Sequence, residues 1–226
     1  VSLSILFIFG SHGFIMIYHY FKTYHKRTED LNEEDFDIKE FPLVTIQIPL
    51  YNEKYVTKRL IDAVCRMEYD KDKMEIQVLD DSTDDSVALT AKIVEAKKAE
   101  GFDIKHIHRT NRQGYKAGAL KEGLAICSGE YVAIFDADFI PRRKFLKRTI
   151  PYFYKEEKLG LVQTRWEHLN RDYSLITKTQ AIALDGHFVI EQAVRNRAGF
   201  FINFNGTGGI WKKECILDAG NWDADT

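Results

Sequence analysis

Tyr131-Val-Ala-Ile-Phe-Asp-Ala-Asp-Phe139 is the stretch on which the fold turns. Its opening residues are rich in β-branched and aromatic types and read as a buried strand. The strand delivers two acids, Asp136 and Asp138, one residue apart. Pro141 and a basic, helix-like run from Arg142 to Arg148 follow. In an open α/β sheet, ligands bind beyond the carboxyl ends of the strands. Two carboxylates at that position suit Mg²⁺ or Mn²⁺, hard cations that combine one or two carboxylates with the oxygens of a bound phosphate. Asp is also common in polar turns, so the pair gains its meaning from its neighbours.

Upstream, Leu43-Val-Thr-Ile-Gln-Ile-Pro-Leu-Tyr-Asn-Glu53 reads as a strand that stops at Pro49, then a loop. Tyr51, Asn52 and Glu53 stand where the first strand of a nucleotide-binding unit ends. Val56, Leu60, Val64 and Met67 recur at helical spacing. Glu75 to Asp81 is a second strand, and Ser82 with Asp85 resembles a capping box for the next helix. Asp80 and Asp81, at the strand end, are placed to accept a hydrogen bond from a base or ribose. Ile104 to His108 alternates as a third strand, with His106 and His108 on one face; satisfied or exposed histidines are the expectation there rather than metal ligands. Gly114 and Gly118 bracket Lys116 at the start of a helix. A Gly-containing turn with basic residues at a helix N-terminus suits a diphosphate.

Downstream, a helix from Phe145 is expected to bend or break near Pro151. Leu159 to Thr164 reads as a short strand. A long helical pattern runs from Tyr173 to Arg197, interrupted only at Gly186. Phe200 to Trp211 reads as an aromatic strand followed by a Gly-rich loop, with Asn205, Gly206 and Thr207 available for hydrogen bonding. Aromatic surface beside polar groups suits a sugar ring. Lys212 to Ala219 is a short helix closed by Gly220.

The 226 residues allow one or two domains, and 29% charged with 45% hydrophobic residues is an ordinary globular balance. A net charge of −2 gives no electrostatic case for nucleic acid. Cys65, Cys127 and Cys215 lie far apart and read as reduced thiols of a cytosolic environment. Val1–Phe21 contains no Asp, Glu, Lys or Arg and has the roughly 20-residue length of a membrane span. Lys22, Lys26 and Arg27 follow it, which puts that end in the cytoplasm. Residues 22–41 read as a juxtamembrane linker, and 42–226 as the globular domain.

Strands alternating with helices from Leu43 onward specify an α/β fold with a mostly parallel central sheet. Within it, Ile48-Pro-Leu-Tyr-Asn-Glu53, Gln77-Val-Leu-Asp-Asp-Ser-Thr-Asp84, Gly114-Tyr-Lys-Ala-Gly-Ala-Leu120, Phe135-Asp-Ala-Asp-Phe139 and Phe204-Asn-Gly-Thr-Gly-Gly209 occur in order. This set resembles the membrane-bound family 2 glycosyltransferases, above all the cellulose-synthase-like glucomannan (β-mannan) synthases. The resemblance covers the chain from about Pro42 to Thr226.

The resemblance implies a GT-A fold, a nucleotide-sugar donor such as UDP-glucose or GDP-mannose, a divalent metal, a glycan acceptor, a membrane location with the catalytic domain facing the cytoplasm, and inversion at the anomeric carbon. Carried over by position, Tyr51 and Glu53 lie near the base and ribose, Asp81 and Asp80 near the base, and Lys116 near the diphosphate. Asp136 and Asp138 form the metal motif, with Asp138 the more direct ligand, and Asn205, Gly206 and Thr207 line the acceptor end. Such enzymes carry, after the Gly-rich loop, a Thr-Glu-Asp motif that supplies the general base and, further on, a Gln-x-x-Arg-Trp motif; neither follows Gly209 in these residues. The chain is therefore expected to be a donor-binding portion, inactive by itself. A lipid-directed glycosyltransferase making a glycolipid or polyprenyl-phosphate sugar, and a nucleotide-sugar-binding module without catalysis, are the two rival readings.

Overall fold

The computed structural model describes residues 2–26, 38 and 40–223. The chain divides into two compact units, Leu31–Thr164 with Asn205–Thr226, and Val1–Asp30 with Arg165–Phe204.

The larger unit is an α/β sheet of six strands in the order β3-β2-β1-β4-β6-β5. Strands β1 (Val44–Leu50), β2 (Met74–Asp80), β3 (Asp103–His108) and β4 (Tyr131–Ile134) run parallel. β6 (Gly209–Lys212) returns antiparallel beside β4 and carries β5 (Leu161–Gln163) on its far side. Helices α2 (Thr57–Cys65), α3 (Ser86–Ala99), α4 (Tyr115–Ala125) and α5 (Phe145–Lys155) fill the connections, and α8 (Lys213–Asp218) follows β6. β1 and β4 are the central strands, and β2, beside β1, is buried at every position, as a strand covered on both faces must be.

One face of β1 and β2 carries Val44, Ile46, Ile48, Ile76 and Val78 into a core shared with Leu60, Val64, Phe135 and Ile150. The other face is polar yet buried. The Thr45 hydroxyl donates to Glu75 Oε2 at 2.6 Å, and Gln47 Nε2 donates to Gln77 Oε1 at 3.1 Å. Both couples face each other in register. Buried polar groups are generally hydrogen-bonded, and this ladder pairs all of these side chains, leaving only Gln47 Oε1 without a partner among the described residues.

Several expectations are corrected. Pro49 does not end β1; the strand continues to Leu50, with Pro49 opposite Leu79. Pro151 does not break α5, which runs through it to Lys155. The capping box does not form: α3 begins at Ser86, and Asp84 Oδ1 instead accepts the Ser86 backbone N–H at 2.9 Å. Phe200–Asn205 is irregular backbone rather than strand, and the strand is Gly209–Lys212. Most of the expected linker, residues 27–37 and 39, lies outside the described residues.

The smaller unit contains α1 (Ser2–Thr23), α6 (Leu175–Asp185) and α7 (Ala193–Arg197). A π-helical segment, Gly186–Gln192, joins α6 to α7 and begins at the glycine that marked the interruption. Ser174 caps α6 with a capping box closed by Thr177. Among the described residues no helix is long and apolar enough to cross a membrane; residues 2–21 of the span expected over Val1–Phe21 lie in α1, and the span itself rests on the sequence alone.

Candidate active site

The carboxyl ends of β1 and β4 open into a cleft of about 330 Å³. Asp136 and Asp138 line it together with Leu50, Tyr51 and Glu53. The two acids share the cleft because the chain alternates after β4. Phe135 and Ala137 turn into the core, with Phe135 edge-on to Phe145 at 4.9 Å, so the intervening acids turn out together. Phe135 N–H donates to Gln47 O at 3.1 Å, which locks the start of the turn to β1.

Lys116 and Arg112 bring positive charge to the same cleft. Lys116 sits in the first turn of α4, after Gly114 in the left-handed region at φ 70°. Its ammonium group pairs with the Asp136 carboxylate and donates to Gly206 O at 3.0 Å. Asp136 N–H donates to the Thr207 hydroxyl at 2.9 Å. Gly206 and Thr207 are thus tied directly to the acid motif. Asn205 N–H is held from β5 instead, by Gln163 Oε1 at 3.0 Å.

Asp80 and Asp81 part company. Asp81 lines the cleft, and both of its oxygens accept from Arg109, at 2.7 Å from Nε and 2.6 Å from Nη2. These bonds hold the Arg109 guanidinium still more firmly protonated than usual. Asp80 is fully buried and does not line the cleft: Oδ1 accepts Ser82 N–H at 2.9 Å, and Oδ2 meets His106 Nε2 at 2.8 Å. Its expected contact with a base is replaced by a structural one. The same bond satisfies His106, while His108 Nε2 reaches Ser82 O at 3.0 Å. Asn52, at φ 57°, joins the loops after β1 and β2: its N–H donates to Ser82 Oγ and its Oδ1 accepts Thr83 N–H, both at 2.9 Å.

Three residues that line or brace the cleft escaped the sequence reading. Arg109 is buried and grips Gln113 O and Tyr115 O as well as Asp81, so it fixes the loop that presents Lys116. Arg112 stacks its guanidinium on the Tyr51 ring, 3.3 Å from the centroid. Gln163 Nε2 shares its hydrogens among Thr164 O, Thr207 O and Gly208 O at 3.0–3.2 Å. The basic loop signalled the arginines as a group; a single neutral amide on a three-residue strand gave no signal.

Among the described residues no three or more His, Cys, Asp or Glu side chains gather as a metal cluster. Two carboxylates in one cleft nevertheless fit a cation that completes its shell with phosphate oxygens. The Asp138 carboxylate has no hydrogen-bond or ion-pair partner among the described residues, its backbone O alone accepting from Arg59 at 3.1 Å.

Residues 45–211 match the family described as Glycosyl transferase family 2. The chain is 47% identical over 189 residues to glucomannan 4-beta-mannosyltransferase 1 of Cyamopsis tetragonoloba, covering 81% of this chain and 36% of that protein. It is 44% identical over 196 residues to glucomannan 4-beta-mannosyltransferase 2 of Arabidopsis thaliana, covering 84% and 36%. The chain therefore spans just over a third of the length of the curated relatives it matches. Among solved structures, the fold resembles the mannosyltransferase PcManGT from Pyrobaculum calidifontis in complex with GDP-Man and Mn²⁺, with a TM-score of 0.74 at 23% identity over 98% of this chain and 59% of that one. It also resembles S. aureus TarS 1–349 in complex with UDP-GlcNAc, with a TM-score of 0.55 at 17% identity over 79% and 47%. These two likenesses establish the GT-A-like fold.

Proposed function

Because the chain belongs to glycosyl transferase family 2, we propose that it is the donor-binding portion of an inverting hexosyltransferase that extends a β-linked polysaccharide from a nucleotide-diphosphate sugar. The observation that carries this is the single cleft holding Asp136, Asp138, Lys116 and Tyr51 at the strand tips. Of the two donors that suit the sequence, UDP-glucose and GDP-mannose, the mannosyl one is favoured by relatives named as mannosyltransferases.

Each side chain has a physical task. Tyr51 offers an aromatic face to the base, and Glu53 and Asp81 line the same side. Lys116 brings positive charge toward the diphosphate. Asp136 and Asp138 would hold a divalent cation, Mn²⁺ or Mg²⁺, whose charge eases departure of the diphosphate. Asn205, Gly206 and Thr207 form the acceptor side, braced by Gln163 and Asp136. The acceptor hydroxyl attacks the anomeric carbon opposite the diphosphate, the bond to the diphosphate breaks, and an α-linked donor gives a β-linkage. The proton leaves to a base outside these residues.

The test is sugar transfer by the full-length protein with labelled GDP-mannose or UDP-glucose, Mn²⁺ and a β-mannan oligosaccharide. Asp138→Ala should lower transfer at least about a hundredfold. Transfer by this variant at the wild-type rate would overturn the assignment.

We also read α1 as the membrane anchor, with the catalytic unit in the cytoplasm. Support comes from residues 1–21, which lack Asp, Glu, Lys and Arg, from the cations at Lys22, Lys26 and Arg27, and from the exposed Phe14 and Phe21 of α1. Retention in the membrane pellet after alkaline carbonate extraction is expected; release into the supernatant refutes the anchor.

A further inference from the structure

Arg112 is a cation whose neighbours do not neutralise it. The acid beside it in the cleft, Asp81, has both oxygens committed to Arg109. Among the described residues no carboxylate pairs with Arg112, and its buried Nε has no hydrogen-bond partner. Its guanidinium instead lies on the Tyr51 ring at 3.3 Å, with the Tyr115 ring 5.1 Å away. Tyr51 itself remains 40% exposed in the cleft.

The backbone aims it there. Arg112 has φ 42° and Tyr115 φ 46°, both in the left-handed region that side chains avoid. Such conformations persist where the surroundings enforce them. Arg109 supplies that enforcement by gripping Gln113 O and Tyr115 O, while Tyr115 N–H closes the turn onto Arg112 O at 3.1 Å. A strained, braced loop thus presents a planar cation parallel in purpose to an aromatic ring. A guanidinium plane stacks on nucleobases as readily as on tyrosine, because it is planar, delocalised and weakly hydrated.

We propose that Tyr51 and Arg112 are the two faces of the nucleobase slot: they lie in contact at 3.3 Å, and the Arg112 side chain lifts off the ring to admit the donor base between the two planes. The inference rests on the donor-site reading above and adds a binding residue to it. A phosphate-attracting charge at Arg112 would act on any diphosphate; a stacking face acts only on ligands that have a base. A placeholder that the base expels would act in the opposite sense.

Calorimetric titration of the full-length protein with GDP, UDP and inorganic pyrophosphate, each with Mn²⁺, separates these. Arg112→Ala should weaken GDP on the order of tenfold and leave pyrophosphate within about twofold. Arg112→Lys keeps the charge but not the plane and should not restore GDP affinity. Equal weakening of GDP and pyrophosphate, full rescue by lysine, or tighter GDP binding in the alanine variant would each overturn the slot. A wild-type protein that binds none of the three probes removes the donor site itself; one that binds nucleotides indifferently to Arg112 removes the slot alone. Unchanged thermal unfolding of both variants confirms that they fold.

Discussion

The Lys116 ammonium group is held by the Asp136 carboxylate on one side and by Gly206 O, 3.0 Å away, on the other. A side chain suited to a diphosphate and an acid suited to a cation thus occupy each other. Replacing the lysine should release the acid. For a partly exposed pair the gain is modest: Lys116→Met should bind Mn²⁺ alone about two- to fivefold more tightly, and GDP in the presence of Mn²⁺ more weakly. Electron paramagnetic resonance of free Mn²⁺ measures the first and calorimetry the second. Unchanged or weaker Mn²⁺ binding in the variant would remove Asp136 from the proposed ligand set.

Gln163 braces the turn that carries Thr207. Gln163→Leu leaves Asn205 N–H and Thr207 O without their amide partner. The expected cost is about 1–3 kcal/mol in urea unfolding. A variant as stable as the wild type would show that the turn holds its shape through Thr164 and Ile134, which bond Gly208.

Glu75 and Asp80 make stability fall in acid. Burial by itself raises both acids, but hydrogen bonds from Lys105, Thr45 and Ser128 N–H to Glu75, and from His106 and Ser82 to Asp80, outweigh it and hold each below its ordinary range. The unfolded chain then binds protons more readily. The stabilisation is complete above the ordinary carboxylate value of about 4 and is lost as pH falls through the lower folded values. Urea midpoints followed below pH 4 should decline, and Asp80→Asn should make the decline shallower. An identical slope in the variant would contradict the assignment.

Gly118 is required by closeness. A Cβ there would stand 1.9 Å from Gln113 O and 3.0 Å from Arg109 Nη1. Gly118→Ala must push the loop off α4, at a cost of about 1–3 kcal/mol. Because Arg109 grips this loop, the variant should also weaken GDP binding. Calorimetric unfolding and GDP titration check the two effects; retention of both would show that the loop yields freely.

The parallel strands and their acids were legible because each signal is local. A run of β-branched residues ending in Asp136-Ala-Asp138 states its own element and its own chemistry. Gly186 likewise announced a change in the long helix, which the structure resolves as a π-helical segment. What stayed hidden depends on distance along the chain. Asp80 and Asp81 look alike in sequence, and only His106 on the next strand and Arg109 beyond it assign one to the interior and the other to the cleft. Gln163 matters because residues some forty positions later fold against it. Phe200–Asn205 has strand-like composition but no paired neighbour, so no strand forms.

The place of β6 in the sheet has a consequence for biosynthesis. Of the six strands among the described residues it comes latest in the sequence, yet it lies between β4 and β5. Until Gly209–Lys212 leaves the ribosome, β4 shows a bare edge and β5 has nothing to pair with. A nascent chain stalled before that point would present an unpaired strand template, the kind of edge that recruits other chains. The joining of β5 to β4, and with it the tethering of Thr207 to Asp136, waits on a strand of four residues.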